Sequence, residues 1–461
     1  MSTSSEGTSP DRHAGHLSAA TPTPPVAESR TPPPEKMSPE GRRALFAAVT
    51  GTLIEWYDYA LYGAAAGLVI APLFFADVGA GATLAAFATF AVGFIARPLG
   101  GVLIGHLGDR YGRRPAMMLT ILLMGIATVA IGLLPTTATI GLAAPILLVL
   151  FRLIQGMGAG AELAGAMTIV AEFAPARQRG LLTSFVLATP PAGMALATGA
   201  FLLVSSLGDE ILLDWAWRLP FLASVVLFLL AVFIRRHLEE TPEYVEALER
   251  ARQRGDRQKV PAAELFRTQK TPLALGFLSM TGHNALNYAM AVFALSLMTS
   301  EAVGLERSTA LAAVTIGTLF GVIGTPLGGW ASDRIGAGRV FGIGSALGVV
   351  FAFPLFAALS GGDALLAGAT IAFGYGVVIA MTAGGQGAFL ASLFPARERY
   401  SGIALTREMN GAIIAGLTPL TLAWIIELFD GAVIAAAVVV SAACLVSAVA
   451  IFWGRALPRH Q

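Results

Sequence analysis

Seven charged side chains stand inside stretches that are otherwise apolar: Glu55, Asp58, Arg97, Arg152, Glu162, Arg407 and Glu408. A charge at the centre of a bilayer costs about 2.5–3.5 kcal/mol on insertion scales, so such residues pair with one another or do chemistry. Glu55 and Asp58 are three apart, and on a helix they and Tyr62 fall within about 60° of one another. Two carboxyl groups on one apolar face cannot both be ionised cheaply. A carboxyl that takes up and releases a proton is what a proton-coupled device needs, and either residue can serve. Arg152, with Gln155 one turn on, offers a guanidinium fork. It can clamp a carboxylate bidentately or hold the two acids ionised. Glu162 lies further along the same stretch among small residues, which favours a structural or gating role.

The second half of the chain has its own polar set. His283, Asn284, Asn287 and Tyr288 interrupt an apolar run, and the last three keep the i, i+3, i+4 spacing of a cavity-lining face. Contact with a substrate and hydrogen bonding between helices both fit that spacing. A lone histidine such as His283 fits a satisfied core position as well as a titrating one. Gln386 and Asn410 are further candidates for substrate contact. Arg407 and Glu408 are neighbours and point about 100° apart on a helix, so they are not a simple mutual pair. Arg97 precedes Pro98 and the Gly100-Gly101 pair, where a bond to freed backbone carbonyls or to an acidic partner is expected.

The elements that must position these groups follow from composition. Of 461 residues, 55% are hydrophobic and 13% are charged, against about 25% charged in a soluble domain. A soluble enzyme is excluded. The net charge of +1 leaves no basic surplus for a nucleic-acid partner, and the single Cys444 excludes disulfides within the chain, redox pairs and thiolate zinc sites. Twelve apolar runs of membrane-spanning length lie between residues 44 and 453. Residues 1–41 are rich in Pro, Thr and Ser with no apolar core, and predict a disordered tail in which His13 and His16 bind no metal. The spans divide into 42–235 and 272–455, separated by a charged linker over 236–271, with a short tail over 456–461.

Arginines cluster in one set of loops (Arg110, Arg113, Arg114, Arg177, Arg179, Arg334, Arg339, Arg397, Arg399), and the opposite set is mostly acidic. The positive excess marks the cytoplasmic side. Both termini are expected there, in a cell (plasma or inner) membrane.

The halves echo each other. Asp109-Arg110 recurs as Asp333-Arg334 at an offset of 224, and Pro175-Ala176-Arg177 recurs as Pro395-Ala396-Arg397 at 220. Six spans separate the copies, so both halves enter the membrane the same way round, as parallel repeats do. Gly105 to Arg114, with its Gly-x-x-x-Asp-Arg-x-Gly-Arg-Arg pattern, resembles the signature loop of the major facilitator superfamily, and Arg152-Leu153-Ile154-Gln155-Gly156 resembles its second motif. Glu55-Trp56-Tyr57-Asp58-Tyr59, Arg97-Pro98-Leu99-Gly100-Gly101, Trp217-Arg218-Leu219-Pro220-Phe221 and Glu240-Thr241-Pro242 resemble its metabolite:proton symporter branch, which includes shikimate, α-ketoglutarate and proline/betaine permeases. Two places depart from the branch: Gly160-Ala161-Glu162 replaces Gly-Gly-Glu, and Gly336-Ala337-Gly338-Arg339 lacks one arginine of the second loop.

The resemblance implies an all-α membrane protein of twelve transmembrane helices in two six-helix bundles. It implies proton-coupled symport of a small carboxylate-bearing metabolite by alternating access. Glu55 or Asp58 would carry the proton. Arg152, Gln155, Tyr62, Asn284, Asn287, Tyr288 and Gln386 would meet substrate. Asp109, Arg110, Arg113, Asp333 and Arg334 would gate, with Arg97, Glu162, Arg407 and Glu408 in structural or gating roles. No phosphate-binding glycine loop, nucleophile elbow or zinc-protease motif occurs, so no enzyme activity, cofactor or metal is expected. The expected partners are the lipid bilayer, a small metabolite and the proton, with the chain acting as a monomer. A drug:proton antiporter of the same fold and a transport-inactive sensor are the alternatives.

Overall fold

The computed structural model describes residues 37–111, 113–159, 166–167, 170–171, 173–238, 262–395 and 398–454. The expected tail over 1–36, the linker core over 239–261 and the last residues from 455 lie outside them. All the regular elements among the described residues are helices. In hydrocarbon a backbone must satisfy its own polar groups, and helices do so within one segment.

The first helix, α1, begins at a capped turn, where Gly41 N–H donates to Ser38 Oγ at 3.1 Å and Pro39 opens the helix. It spans Gly41–Phe74. There follow α2 (Ala82–Tyr111), α3 (Arg113–Leu133), α4 (Ala143–Gly158), α5 (Arg179–Ser205), α6 (Arg218–Leu238) and α7 (Lys270–Tyr288, continued by Ala289–Phe293 and Ala294–Met298). The series closes with α8 (Arg307–Ile335), α9 (Ala337–Ser360), α10 (Ala364–Leu393), α11 (Arg399–Leu428) and α12 (Val433–Gly454).

Among the described residues, 8 of these helices are long and apolar enough to cross a bilayer unaided, and Asp209–Ala216 with α6 makes a ninth, bent by 51°. The apolar parts of α3 and α4, Met118–Leu133 and Ala143–Gly158, are shorter. The polar stretch from His283 to Tyr288 lowers the hydropathy of α7. These three complete the twelve. Leu203, Ile323, Val350 and Trp453 stand exposed on their outer faces, the apolar belt that lipid covers.

The repeat is visible in the packing. Pro98-Leu99-Gly100-Gly101 of α2 recurs as Pro326-Leu327-Gly328-Gly329 of α8. A Cβ on Gly100 would lie 2.0 Å from the Met157 carbonyl oxygen of α4, and a Cβ on Gly328 would lie 2.0 Å from that of Ala380 in α10. Only glycine admits either crossing. Wide turns also recur: Ala71 N–H donates to Ala66 O in α1, and Ala294 N–H to Ala289 O in α7, each five residues back. The gate motifs are less symmetric. Asp109 is eight residues beyond Gly101, whereas Asp333 is four beyond Gly329. The α2 copy is thus about 6 Å, one helical turn, further from its glycine crossing.

The Trp-Arg-Leu-Pro-Phe stretch is a joint between helices. Arg218 donates to Leu134 O at 2.8 Å and Gly132 O at 3.2 Å, satisfying carbonyls at the end of α3. Tyr57 Oη of α1 donates to Pro220 O at 3.1 Å.

Candidate functional site

Where α1, α2, α5, α7 and α10 meet, they leave a small cavity of about 20 Å³. Its wall is aromatic: Trp56, Tyr59, Phe90, Tyr288 and Tyr375, with Asn287 as a polar contribution. The Trp56 indole Nε1 is buried there without a hydrogen-bond partner among the described residues, a donor open to a ligand. The helices close on both sides of this space. On the face where the linker leaves the bundle, Asp333 accepts from Gly180 N–H at 2.7 Å and Leu181 N–H at 2.9 Å, tying α8 to the start of α5. On the far face Thr315 donates to Thr198 at 2.7 Å and Arg307 pairs with Asp209. Both faces thus carry bonds between the two halves of the chain.

Behind the aromatic wall lies Arg152, fully buried at 0% exposure. Its Nη1 donates to Gln155 Oε1 at 2.5 Å and its Nη2 to Phe90 O at 3.1 Å. Its guanidinium carbon lies 4.0 Å from the Tyr62 ring centre and 5.2 Å from that of Tyr59, a cation–π arrangement. Tyr62 is in turn bonded to Thr89. Gln155 reaches on to α1 and α3, donating to Asp58 O at 3.3 Å and Thr128 Oγ1 at 2.8 Å. No carboxylate pairs with Arg152 among the described residues. The ion pair with an α1 acid that the sequence allowed is not formed.

The two α1 acids have different surroundings. Glu55 Oε1 lies 3.5 Å from Arg97 Nη2 of α2. Arg97 also donates from Nε to Glu408 Oε2 of α11 at 3.1 Å, so one guanidinium bridges two carboxylates and joins the two halves of the chain. Trp56, Tyr59 and Phe94 pack around it, at 6.0, 5.2 and 5.8 Å from ring centre to guanidinium carbon. Of the partners expected for Arg97, the acidic one is realised, twice. Asp58 is 4% exposed, makes no ion pair among the described residues, and has a buried Oδ1 with no hydrogen-bond partner.

In the second half, Arg407 Nη1 donates to Gln386 Oε1 at 2.5 Å and His283 Nδ1 lies 2.7 Å from Thr382 Oγ1. Asn284 Nδ2 donates to Asn410 Oδ1 at 2.5 Å, so it joins α7 to α11 while Asn287 and Tyr288 face the cavity. Arg334 stacks 3.8 Å from the Trp330 ring centre. The side chains of Asp109, Arg110 and Arg113, and the whole of Glu162, lie outside the described residues. Among the expected substrate contacts, Asn287 and Tyr288 line the cavity. Arg152, Gln155 and Tyr62 sit behind its wall, and Asn284 and Gln386 stand apart from it.

Sequence reasoning missed Trp56, Tyr59 and Tyr375 as cavity residues. The spacing of Tyr59 from Glu55, one turn on, was a usable signal. Nothing marked Tyr375 beyond its place between Gly374 and Gly376.

Comparison with known proteins adds a family. The model for the Major Facilitator Superfamily matches residues 49–419. The chain belongs to the major facilitator superfamily. Within it, the chain is 38% identical over 418 residues to the shikimate transporter of Escherichia coli (strain K12), covering 88% of this chain and 93% of that one. It is 36% identical over 390 residues to an inner membrane metabolite transport protein of the same strain, covering 83% and 87%. It is 34% identical over 399 residues to the proline/betaine transporter of that strain, covering 84% and 78%. The crystal structure of the D-xylose-proton symporter matches the fold with a TM-score of 0.70 at 19% identity, covering 91% of this chain and 98% of that one. The superfamily and these relatives are transporters, and this facilitator is a membrane-embedded transporter, not an enzyme.

Proposed function

We propose that the protein is a secondary active transporter that carries a small carboxylate-bearing metabolite together with a proton, by alternating access. Candidate substrates are organic acids such as shikimate or α-ketoglutarate, and zwitterions such as proline or betaine. The observation that carries this reading is the Gln155 bridge. It joins Arg152, a buried cation, to the α1 backbone at Asp58, a buried acid, and among the described residues neither has a counter-charge.

Two functions follow from those surroundings. A buried guanidinium without a carboxylate is an electrostatic deficit that a substrate carboxylate fills, reached when the Tyr59 and Phe90 rings move aside. A buried carboxylate without a cation is costly, and the neutral acid is not. Asp58, rather than the ion-paired Glu55, therefore binds the coupled proton. Asn287, Tyr288 and the Trp56 indole contribute hydrogen bonds to substrate in the cavity. Asp333 with Arg334, and their counterparts Asp109, Arg110 and Arg113, gate the linker face. The Arg97–Glu408 bond closes the path beneath the cavity.

The working unit is a monomer of two bundles, 42–235 and 272–455, with the linker 236–271 and both tails in the cytoplasm of the cell.

The test is a substrate panel in proteoliposomes with an imposed pH gradient. Saturable, uncoupler-sensitive accumulation of one of these compounds is expected, with Asp58→Asn losing accumulation but retaining substrate exchange across the membrane. Drug entry coupled to proton efflux, or pH-driven accumulation that survives in Asp58→Asn, would overturn the reading.

A further inference from the structure

We infer that Gln386 and Arg407 form a second carboxylate subsite, in the second half of the chain between the cavity and the linker face. Substrate occupies it on the way to or from that face. The inference deepens the transport reading and rests on it.

The geometry of Gln386 is the starting point. Its Oε1 accepts from Arg407 Nη1 at 2.5 Å, which turns the amide so that Nε2 points away from the guanidinium. Gln386 is 1% exposed, and that Nε2 has no hydrogen-bond partner among the described residues. A buried amide nitrogen left without an acceptor carries its full desolvation penalty. The pair is thus not optimised for the stability of the empty protein.

Charge points the same way. No carboxylate pairs with Arg407 among the described residues, because its neighbour Glu408 is engaged by Arg97 at 3.1 Å. Gln386 Nε2 has no acceptor and the Arg407 guanidinium meets no carboxylate among the described residues. A group with acceptors only satisfies both, which selects a carboxylate over a cation or a neutral hydroxyl.

A comparison between the halves sharpens this. Arg152 and Gln155 make the same 2.5 Å bond, but there Gln155 Nε2 is used by Thr128 and by the Asp58 carbonyl. In the first pair the amide nitrogen is satisfied by protein. The second stands open.

Position along the helices separates the subsite from the cavity. Gln386 is seven residues from the linker-face end of α10 at Leu393, and Arg407 is eight from that of α11 at Arg399. Both lie about 10–12 Å inside, at 1.5 Å per residue. Tyr288 of the cavity wall is 18 residues from the start of α7 at Lys270, or about 27 Å by the same rise. Arg407 adjoins Glu408 on α11, whose bond to Arg97 joins the two halves of the chain.

The experiment measures KM for shikimate, as probe, from each face of full-length protein in proteoliposomes of known orientation. Gln386→Leu and Arg407→Lys are each expected to raise KM from the linker face roughly tenfold, the loss of one charge-assisted hydrogen bond. KM from the far face should stay within about twofold. A third variant, Gln386→Glu, tethers a carboxylate beside Arg407. It should weaken linker-face affinity while raising the melting temperature of the substrate-free protein. An unmoved linker-face KM in the first two variants, or an equal rise on both faces, would sink the subsite while leaving the transport reading intact. Wild-type protein that transports nothing from the panel would remove both.

Discussion

Two groups of buried charge in this molecule use the same residue types to opposite effect. In the Glu55–Arg97–Glu408 group, one guanidinium meets two carboxylates from α1 and α11. In the Arg152–Gln155 group beside Asp58, the guanidinium meets carbonyl oxygens and aromatic faces, and the acid meets no cation among the described residues. Matched charges hold helices together, because removing one partner leaves the other buried alone. Unmatched charges leave room for species from outside. One group is a fastener, and in the transport mechanism we propose the other receives a proton and an anion.

The largest effect expected from this contrast is on stability. Arg97→Ala leaves two carboxylates buried and should cost about 3–5 kcal/mol, read as earlier unfolding in detergent. The triple change Glu55→Gln, Arg97→Met and Glu408→Gln should recover most of that loss, since it removes charge from every member. Unfolding of Arg97→Ala at the wild-type point would break the contrast.

Next in size is Arg152→Gln. It should weaken shikimate binding roughly 10- to 150-fold, about 1.5–3 kcal/mol for a lost charge-assisted bond. Its melting temperature should fall less than that of Arg97→Ala. A binding isotherm and a melting curve on the same preparation check both.

Two smaller effects test closure of the faces. Asp333→Asn weakens the hold on the α5 N-terminus by about 0.5–2 kcal/mol. Spin labels at the exposed Arg177 and Arg334 positions should then report a larger population of separated distances. Thr315→Val removes the bond to Thr198 on the far face, worth about 0.5–1.5 kcal/mol. It should shift the same labels in the opposite direction. Movement the same way in both variants would mean that the two faces do not alternate.

Much of this was legible in the chain itself. The twelve apolar runs, the six-plus-six division and the recurring Asp-Arg loops follow from local composition and order. Arg97, Arg152, Arg407 and the four acids drew attention because a charge in hydrocarbon needs a reason. Helical spacing also placed Asn287 and Tyr288 on the cavity face. Asn284, on the same face by periodicity, donates instead to Asn410, the bond between helices that the spacing equally allowed. Tyr375 carried no local signal, because a tyrosine in an apolar run reads as packing.

The sequence by itself determined which charges enter the membrane and on which helix face they stand, since both follow from hydropathy and a period of 3.6 residues. Only the tertiary structure decided which charge meets which. Glu55 and Asp58 are three residues apart, yet their difference depends on Arg97, 42 residues from Glu55, and on Glu408, 311 residues from Arg97. Ion pairing and hydrogen bonding are decided over one or two ångströms. Distances that fine are set by how α2 packs against α1 and α11, and periodicity along a single helix does not encode them.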